Sequence, residues 1–194
     1  MKLLPPNNSA LTTLTKCIIT TCALALSSCL VTTKEQAVET DLASIVQNAI
    51  SNNPECARMC VKKHIIIAGD SMCVELPKGQ NIIYNLNIEI RGDAKDVIIN
   101  GMFDGVKTIK VPFTALTDSL SMECSDYMPY TNCCNFTLVN SSKKDIDATF
   151  ITRSISTNLN DKMQYYHAQK DSNKNGYTKW YGSLDSNSAY IISN

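Results

Sequence analysis

Hydrophobic and polar residues alternate with a period of two along most of the chain after residue 64. The clearest stretch is residues 84–91, where Leu86, Ile88 and Ile90 are separated by polar residues. Alternation of this kind predicts a strand with one buried face. Further strands are predicted at Ile65–Ala68, Val97–Asn100, Val106–Val111, Phe136–Val139, Ile146–Ser154, Gln164–His167, Tyr177–Tyr181 and Ala189–Ile192.

Turn-forming residues separate these strands. Pro77-Lys78-Gly79, Arg91-Gly92-Asp93, Asp104-Gly105 and the Asn173–Gly176 stretch are all typical of tight turns. No helical pattern falls between the strands, as a βαβ arrangement would require. The sequence therefore predicts a mainly β fold, an antiparallel β-sandwich or barrel-like domain.

One helix is predicted ahead of the strands, over Lys34–Asn52. Its apolar positions recur at the spacing of a single helical stripe, namely Val38, Leu42, Ile45, Val46 and Ala49. Such a stripe can bind a partner, lie on a membrane or pack on its own domain. The opposite face is poor in Lys and Arg, which membrane-lying helices carry. We therefore favour packing on its own domain.

Composition excludes some classes of function. The 194 residues include 18 Lys+Arg and 18 Asp+Glu, and this balance argues against a nucleic-acid-binding protein. Hydrophobic residues make up 44% of the chain, which is enough for a buried core. No hydrolase, metalloprotease, phosphate-loop or dinucleotide motif occurs. We therefore predict a protein that is not an enzyme and has no cofactor or bound metal.

The first 28 residues have the features of a secretory signal peptide. Lys2 and Lys16 are basic, and no acidic residue precedes Glu35. The apolar run Cys17–Leu26 is shorter than the roughly 20 residues that span a bilayer. A basic start followed by a short apolar run and small residues predicts export.

The end of this segment, Leu26-Ser27-Ser28-Cys29, resembles the lipobox of bacterial lipoprotein precursors. The resemblance implies cleavage before Cys29, lipidation of Cys29 and anchoring in a membrane. Because Leu30 follows the cysteine, it implies sorting to the outer membrane. The predicted organisation is a signal peptide over 1–28, a lipidated tether over 29–34 and one domain over 35–194. Cleavage after Ala25, which would give a soluble secreted protein, is the alternative.

Six cysteines remain after removal of the signal peptide and lipidation of Cys29. An even number of cysteines in an exported chain predicts three disulfides that staple the β domain. The alternative is a metal-binding or redox protein of the periplasm, because Cys56, Cys60 and His64 would share one face of a helix, with methionines near the cysteines in sequence. The six cysteines are Cys56, Cys60, Cys73, Cys124, Cys133 and Cys134.

The last 30 residues are rich in aromatic side chains. On a strand, Tyr177, Lys179 and Tyr181 share one face and could form a surface for a protein or glycan, while Trp180 points to the other face. The alternative is that Trp180 fills the core and the tyrosines cover its edge. The sequence as a whole predicts a membrane-anchored envelope lipoprotein with a structural or partner-binding domain, such as an accessory of an assembly or secretion apparatus. The alternatives are the periplasmic metal or redox protein and a soluble secreted binding factor.

Overall fold

The computed structural model describes residues 36–117, 119–159, 163–171 and 176–184. Within these ranges a helix, α1, covers residues 36–52, and the short helix α2 covers Phe113–Leu116. A 3-10 turn at Pro54–Cys56 follows α1. The strands are β1 (Ala57–Ile66), β2 (Ser71–Glu75), β3 (Asn81–Arg91), β4 (Val97–Phe103), β5 (Val106–Pro112), β6 (Ser121–Cys124), β7 (Met128–Tyr130), β8 (Cys134–Asn140), β9 (Ile146–Ser156), β10 (Tyr165–Lys170) and β11 (Tyr177–Gly182).

The strands form two sheets, which confirms the prediction of a mainly β fold. The first sheet has the order β1-β9-β3-β6, and β7 also pairs with β3. The second sheet has the order β11-β10-β5-β4-β8-β2. Every pair is antiparallel except β10 with β5, which run parallel where Ala168 faces Ile109. This pair departs from the predicted antiparallel arrangement; a parallel pair needs a long crossover connection, and residues 113–164 run between β5 and β10.

The two sheets share one hydrophobic core. Alternate residues of β3, β4, β8 and β9 are buried, as the period of two requires. Phe136 of one sheet and Phe150 of the other are both fully buried, with ring centroids 5.3 Å apart. Burial of apolar side chains from both sheets is the main force that holds the layers together.

The helix α1 packs on the outer face of the first sheet, the face turned away from this core. Leu42 and Val46 are buried against Ile82 of β3 and Ile155 of β9. The apolar face predicted for α1 therefore packs on its own domain, as we favoured. None of the helices in the described ranges is long and apolar enough to cross a membrane.

The turn between β4 and β5 is fixed by one carboxylate. Asp104 has a positive φ of 50°, which a short polar side chain tolerates. Its carboxylate accepts hydrogen bonds from the backbone N–H groups of Thr131, Asn132 and Cys133, at 2.7–2.9 Å. The hydroxyls of Thr131 and Tyr165 also donate to it. Burial raises the pKa of Asp104, but these donors outweigh it and lower the pKa to about 2.

The structure does not support the prediction that three disulfides staple this domain. All six cysteines in the described residues are unpaired. Cys60 and Cys124 lie on the same sheet, but their positions are separated by three strand-to-strand steps, through Thr152 and Leu86. Three steps amount to about 14 Å, twice the largest separation of Cα atoms that a disulfide spans.

Strand register also separates Cys73 from Cys134. Cys73 is exposed on β2, whereas Cys134 is buried on β8, and Cys73 pairs with Thr137 rather than with Cys134. Cys56 lies in the 3-10 turn, where its thiol donates to the carbonyl of Ala49. Counting cysteines predicts how many bridges are possible, but strand register decides which of them can form.

Candidate binding surface at an edge strand

The strand β1 forms one edge of the first sheet. All ten of its residues pair with β9 on one side. In the part of the chain that the structure describes, no strand pairs with its other side. An edge strand of this length presents a row of free N–H and C=O groups that can pair with another extended chain.

A stripe of apolar side chains runs along this edge. Four of the five large hydrophobic residues that are exposed in the described chain lie here. They are between 55% and 64% exposed: Met59, Val61, Ile65 and Ile67. Met59, Val61 and Ile65 share the outer face of the sheet with Lys63, because they lie at alternate positions of β1, and Ile67 follows the end of the strand. We refer to these four hydrophobic residues as the apolar stripe. Exposed apolar side chains grouped in this way mark interaction sites, whereas scattered ones do not.

The same strand carries only positive charge. Arg58, Lys62 and Lys63 lie within it, together with His64, and it has no acidic residue. Lys63 is 3.6 Å from Asp147 of β9, but its side chain remains 60% exposed. The edge therefore combines free backbone groups, exposed apolar area and positive charge, a combination that suits strand addition by a segment bearing apolar and acidic side chains.

The sequence analysis missed this surface. It predicted a strand only from Ile65, because Arg58 and the Lys62–His64 run interrupt the apolar pattern. The signal was present as period-two spacing through Met59, Val61, Ile65 and Ile67. Alternation shows that the apolar residues share a face, but it does not show that this face stays uncovered.

The structure does not bring the proposed metal ligands together. Cys60 and His64 lie four residues apart on β1, which corresponds to about 13 Å along a strand. Cys56 lies before the strand, so the helical face that would have joined the three residues does not form. Across the described ranges, no group of three His, Cys, Asp or Glu side chains could hold a metal ion.

The predicted contact residues near the end of the chain lie together on β11, but they are occupied internally. Lys179 donates to Asp126 at 2.7 Å and lies 4.0 Å from Glu39 of α1. The hydroxyl of Tyr181 donates to the backbone carbonyl of Tyr127 at 2.8 Å. Tyr177 is half-buried.

Trp180 points away from these residues, as predicted. It is 9% exposed and stacks on His167, with ring centroids 5.1 Å apart and planes 11° from parallel. It thus fills a space on the opposite face of its sheet rather than in the core between the sheets. Trp180 is therefore buried, as the alternative expects, although it belongs to neither of the two clusters of buried apolar residues.

Asp126 is the acceptor around which this region is organised, and the sequence analysis did not single it out. Its carboxylate accepts hydrogen bonds from Lys179, from the hydroxyl of Tyr166 at 2.9 Å and from the thiol of Cys124 at 3.4 Å. The partners come from β6, β10 and β11, so only the folded chain brings them together.

The predicted lipidation site, Cys29, and the strand predicted at Ala189–Ile192 lie outside the described residues, as do the signal peptide and the tether over 29–34. No protein-family model matches the chain, and no curated protein is significantly similar to it in sequence.

Proposed function

We propose that this protein is an exported lipoprotein, anchored in the outer membrane through Cys29, whose β domain binds a partner protein by strand addition at β1. The observation that carries the proposal is the apolar stripe on β1, whose second side pairs with no strand in the described residues. A short tether over residues 29–34 would hold the domain near the membrane. The partner is therefore an envelope protein, and the role is structural rather than catalytic.

The chemistry of β1 specifies the segment it would bind. The apolar stripe favours apolar residues at alternate positions of the incoming strand, facing the outer side of the sheet. Arg58 and Lys62, on the opposite face, favour acidic residues between them, and Lys63 favours one acidic residue on the outer face. Backbone hydrogen bonds supply affinity in this mode, and the alternating side chains supply specificity.

A second copy of the chain fits this edge poorly. An antiparallel pair of two β1 strands, matched over their full length, would place the Lys62 and Lys63 side chains of both copies next to each other. Like charges at neighbouring positions of a sheet are destabilising. Charge thus favours a different protein as the partner.

The strand-addition part can be tested with synthetic peptides. A ten-residue peptide that alternates Val and Glu should bind the protein, and one that alternates Val and Lys should bind much more weakly. N-methylation of alternate amides should abolish binding, because it removes the donors that pair with the edge. Isothermal titration calorimetry measures each affinity.

The chain offers a matched control for the apolar stripe. Ile65→Ser should weaken binding of the Val-Glu peptide by about tenfold, since it removes one exposed apolar contact. Leu120→Ser, at a residue of similar exposure away from β1, should leave the affinity unchanged. Equal effects of the two substitutions, or undiminished binding of the N-methylated peptide, would overturn strand addition at β1.

The anchor is tested separately by membrane fractionation. The protein should sediment with the outer membrane, and Cys29→Ala should release it. A Cys29→Ala variant that stays in the membrane would contradict lipid anchoring without affecting the result for β1.

A further inference from the structure

A cavity of about 210 Å³ opens between the two sheets, away from β1. Its interior is lined by apolar side chains from both sheets. They include Leu86, Ile99, Ile109, Val111, Met122 and Met128. Protein interiors are normally packed without spaces of this size, and apolar cavities of about 150 Å³ are known to take up benzene. The space therefore suits an apolar group about as large as one aromatic ring.

The mouth of the cavity is polar and carries more negative than positive charge. Asp126, Glu123 and Lys179 line it, and Glu39 lies 4.0 Å from Lys179. Lys179 is thus the one cation among four charged side chains, and it is already paired with Asp126. Glu123 is exposed, and its carboxylate accepts a hydrogen bond from Asn85 at 2.7 Å.

Burial and neighbouring charges shift the pKa of four groups around the cavity. Burial, reinforced by the charge of Asp126, raises the pKa of the Cys124 thiol to about 12. Burial also raises the pKa of Tyr166 and of Tyr177. For Lys179, burial lowers the pKa, but its bond to Asp126 and the nearby Glu39 outweigh burial, so the net shift is upward. None of these groups is prepared to exchange a proton, which suits binding rather than catalysis.

We propose that this cavity binds a small cationic amphiphile, with an aromatic or short alkyl body inside and an ammonium group at the mouth. The apolar lining takes the body, and the net negative charge favours the ammonium group. An anion of the same shape would meet three carboxylates, with Lys179 as the cation already bonded to Asp126. The site is separate from β1, and the inference does not depend on strand addition.

The test compares three probes of one shape: 2-phenylethylammonium, 3-phenylpropanoate and ethylbenzene. Each is titrated into the exported chain carrying Cys29→Ser, which needs no detergent, while the ¹³C-methyl signals of methionine are recorded by NMR. Met122 and Met128 line the cavity, whereas Met59 lies exposed on β1 and serves as the internal reference. Saturable shifts of Met122 and Met128 alone are the expected result, with the ammonium probe binding about tenfold more tightly than the carboxylate.

Two substitutions assign the binding to this cavity. Glu123→Gln removes a charge from an exposed position and should reduce the preference for the ammonium probe by about threefold. Leu116→Trp should block the cavity and abolish the shifts, while Leu120→Trp, on an exposed position outside the lining, should not.

Two outcomes would overturn the inference. One is the absence of saturable shifts at Met122 and Met128 with all three probes. The other is binding of the carboxylate at least as tight as that of the ammonium. Ile65→Ser should leave these titrations unchanged, so failure here and failure of strand addition at β1 are distinguishable.

Discussion

Two isoleucines on the outer face of the first sheet have opposite environments. Ile155 of β9 is fully buried because α1 lies over it, with Leu42 and Val46 in contact. Ile65 of β1 is 60% exposed on the same face of the neighbouring strand. Residue type and face are alike, but β9 is paired on both sides and covered by α1, whereas β1 is an edge strand without such cover. The chain therefore covers one end of this face and leaves the other end exposed.

The largest expected effect tests the comparison directly. Ile155→Ala should lower the free energy of unfolding by about 3 kcal/mol, since it removes buried apolar volume and leaves a cavity under α1. Ile65→Ala should change it by less than about 0.5 kcal/mol, because the side chain is exposed. Urea denaturation followed by circular dichroism measures both. Equal losses for the two variants would mean that β1 is covered in solution.

An intermediate loss of stability is expected at Asp104, a charged group that is hydrogen-bonded within the fold. Lys62 and Lys63 of β1 are exposed and have one partner each, the carbonyl of Cys73 and the carboxylate of Asp147. The carboxylate of Asp104, in contrast, accepts five hydrogen bonds at the β4–β5 turn. Asp104→Asn should cost about 1–2 kcal/mol of unfolding free energy, since an amide keeps only one acceptor oxygen and turns donors toward donors. A loss as small as that for Ile65→Ala would show that the turn does not depend on this carboxylate.

The contribution of Asp104 to the free energy of unfolding should depend on pH. The pKa of Asp104 is lowered from 3.8 to about 2 in the folded protein, so its stabilising contribution is present above pH 3.8. That contribution should be lost as the pH falls from about 4 through about 2. Denaturation of the wild type and Asp104→Asn at several pH values should show their difference shrinking over this window. A difference that is constant with pH would contradict the assigned pKa.

The smallest effect on folding is expected at the lysines of β1. The double variant Lys62→Ser and Lys63→Ser should unfold within about 0.5 kcal/mol of the wild type, because exposed ion pairs contribute little. It should nevertheless aggregate faster, since lysines on an edge strand oppose pairing between molecules. Light scattering measures this.

A second pair of adjacent lysines provides the control. Lys143 and Lys144 are exposed in the loop between β8 and β9 and lie on no strand. Replacing both with serine removes the same charge and should leave the aggregation rate near that of the wild type. Faster aggregation of both double variants would mean that net charge, rather than the edge, controls solubility.

Local patterns predicted most elements of this fold, and pairing between distant elements was beyond them. The apolar face of α1 and the alternation in β3 follow from neighbours in sequence, and both elements formed as predicted. The strand β2 was missed because it contains only five residues, Ser71–Glu75, and has a weak apolar signal. The parallel pairing of β10 with β5 depends on the whole core and leaves no local trace.

The candidate sites were harder to predict for the same reason. Tyr177 and Lys179 were identified from the aromatic-rich end of the chain, but Asp126, which accepts a hydrogen bond from Lys179, is about 50 residues earlier. Cysteine counting favoured disulfides because it contains no information about register. The edge at β1 was missed because Arg58 and the Lys62–His64 run interrupt the apolar pattern of this strand.

The position of β9 between β1 and β3 has a consequence for folding during synthesis. The chain must be synthesised to Ile146 before β1 has any strand to pair with, and the same strand then completes the pairing of β3. Long-range pairing of this kind makes folding slow. An unfinished chain therefore cannot close its first sheet. Until β9 has been synthesised, β1 has both of its sides unpaired, and unpaired strands of this kind are prone to aggregate.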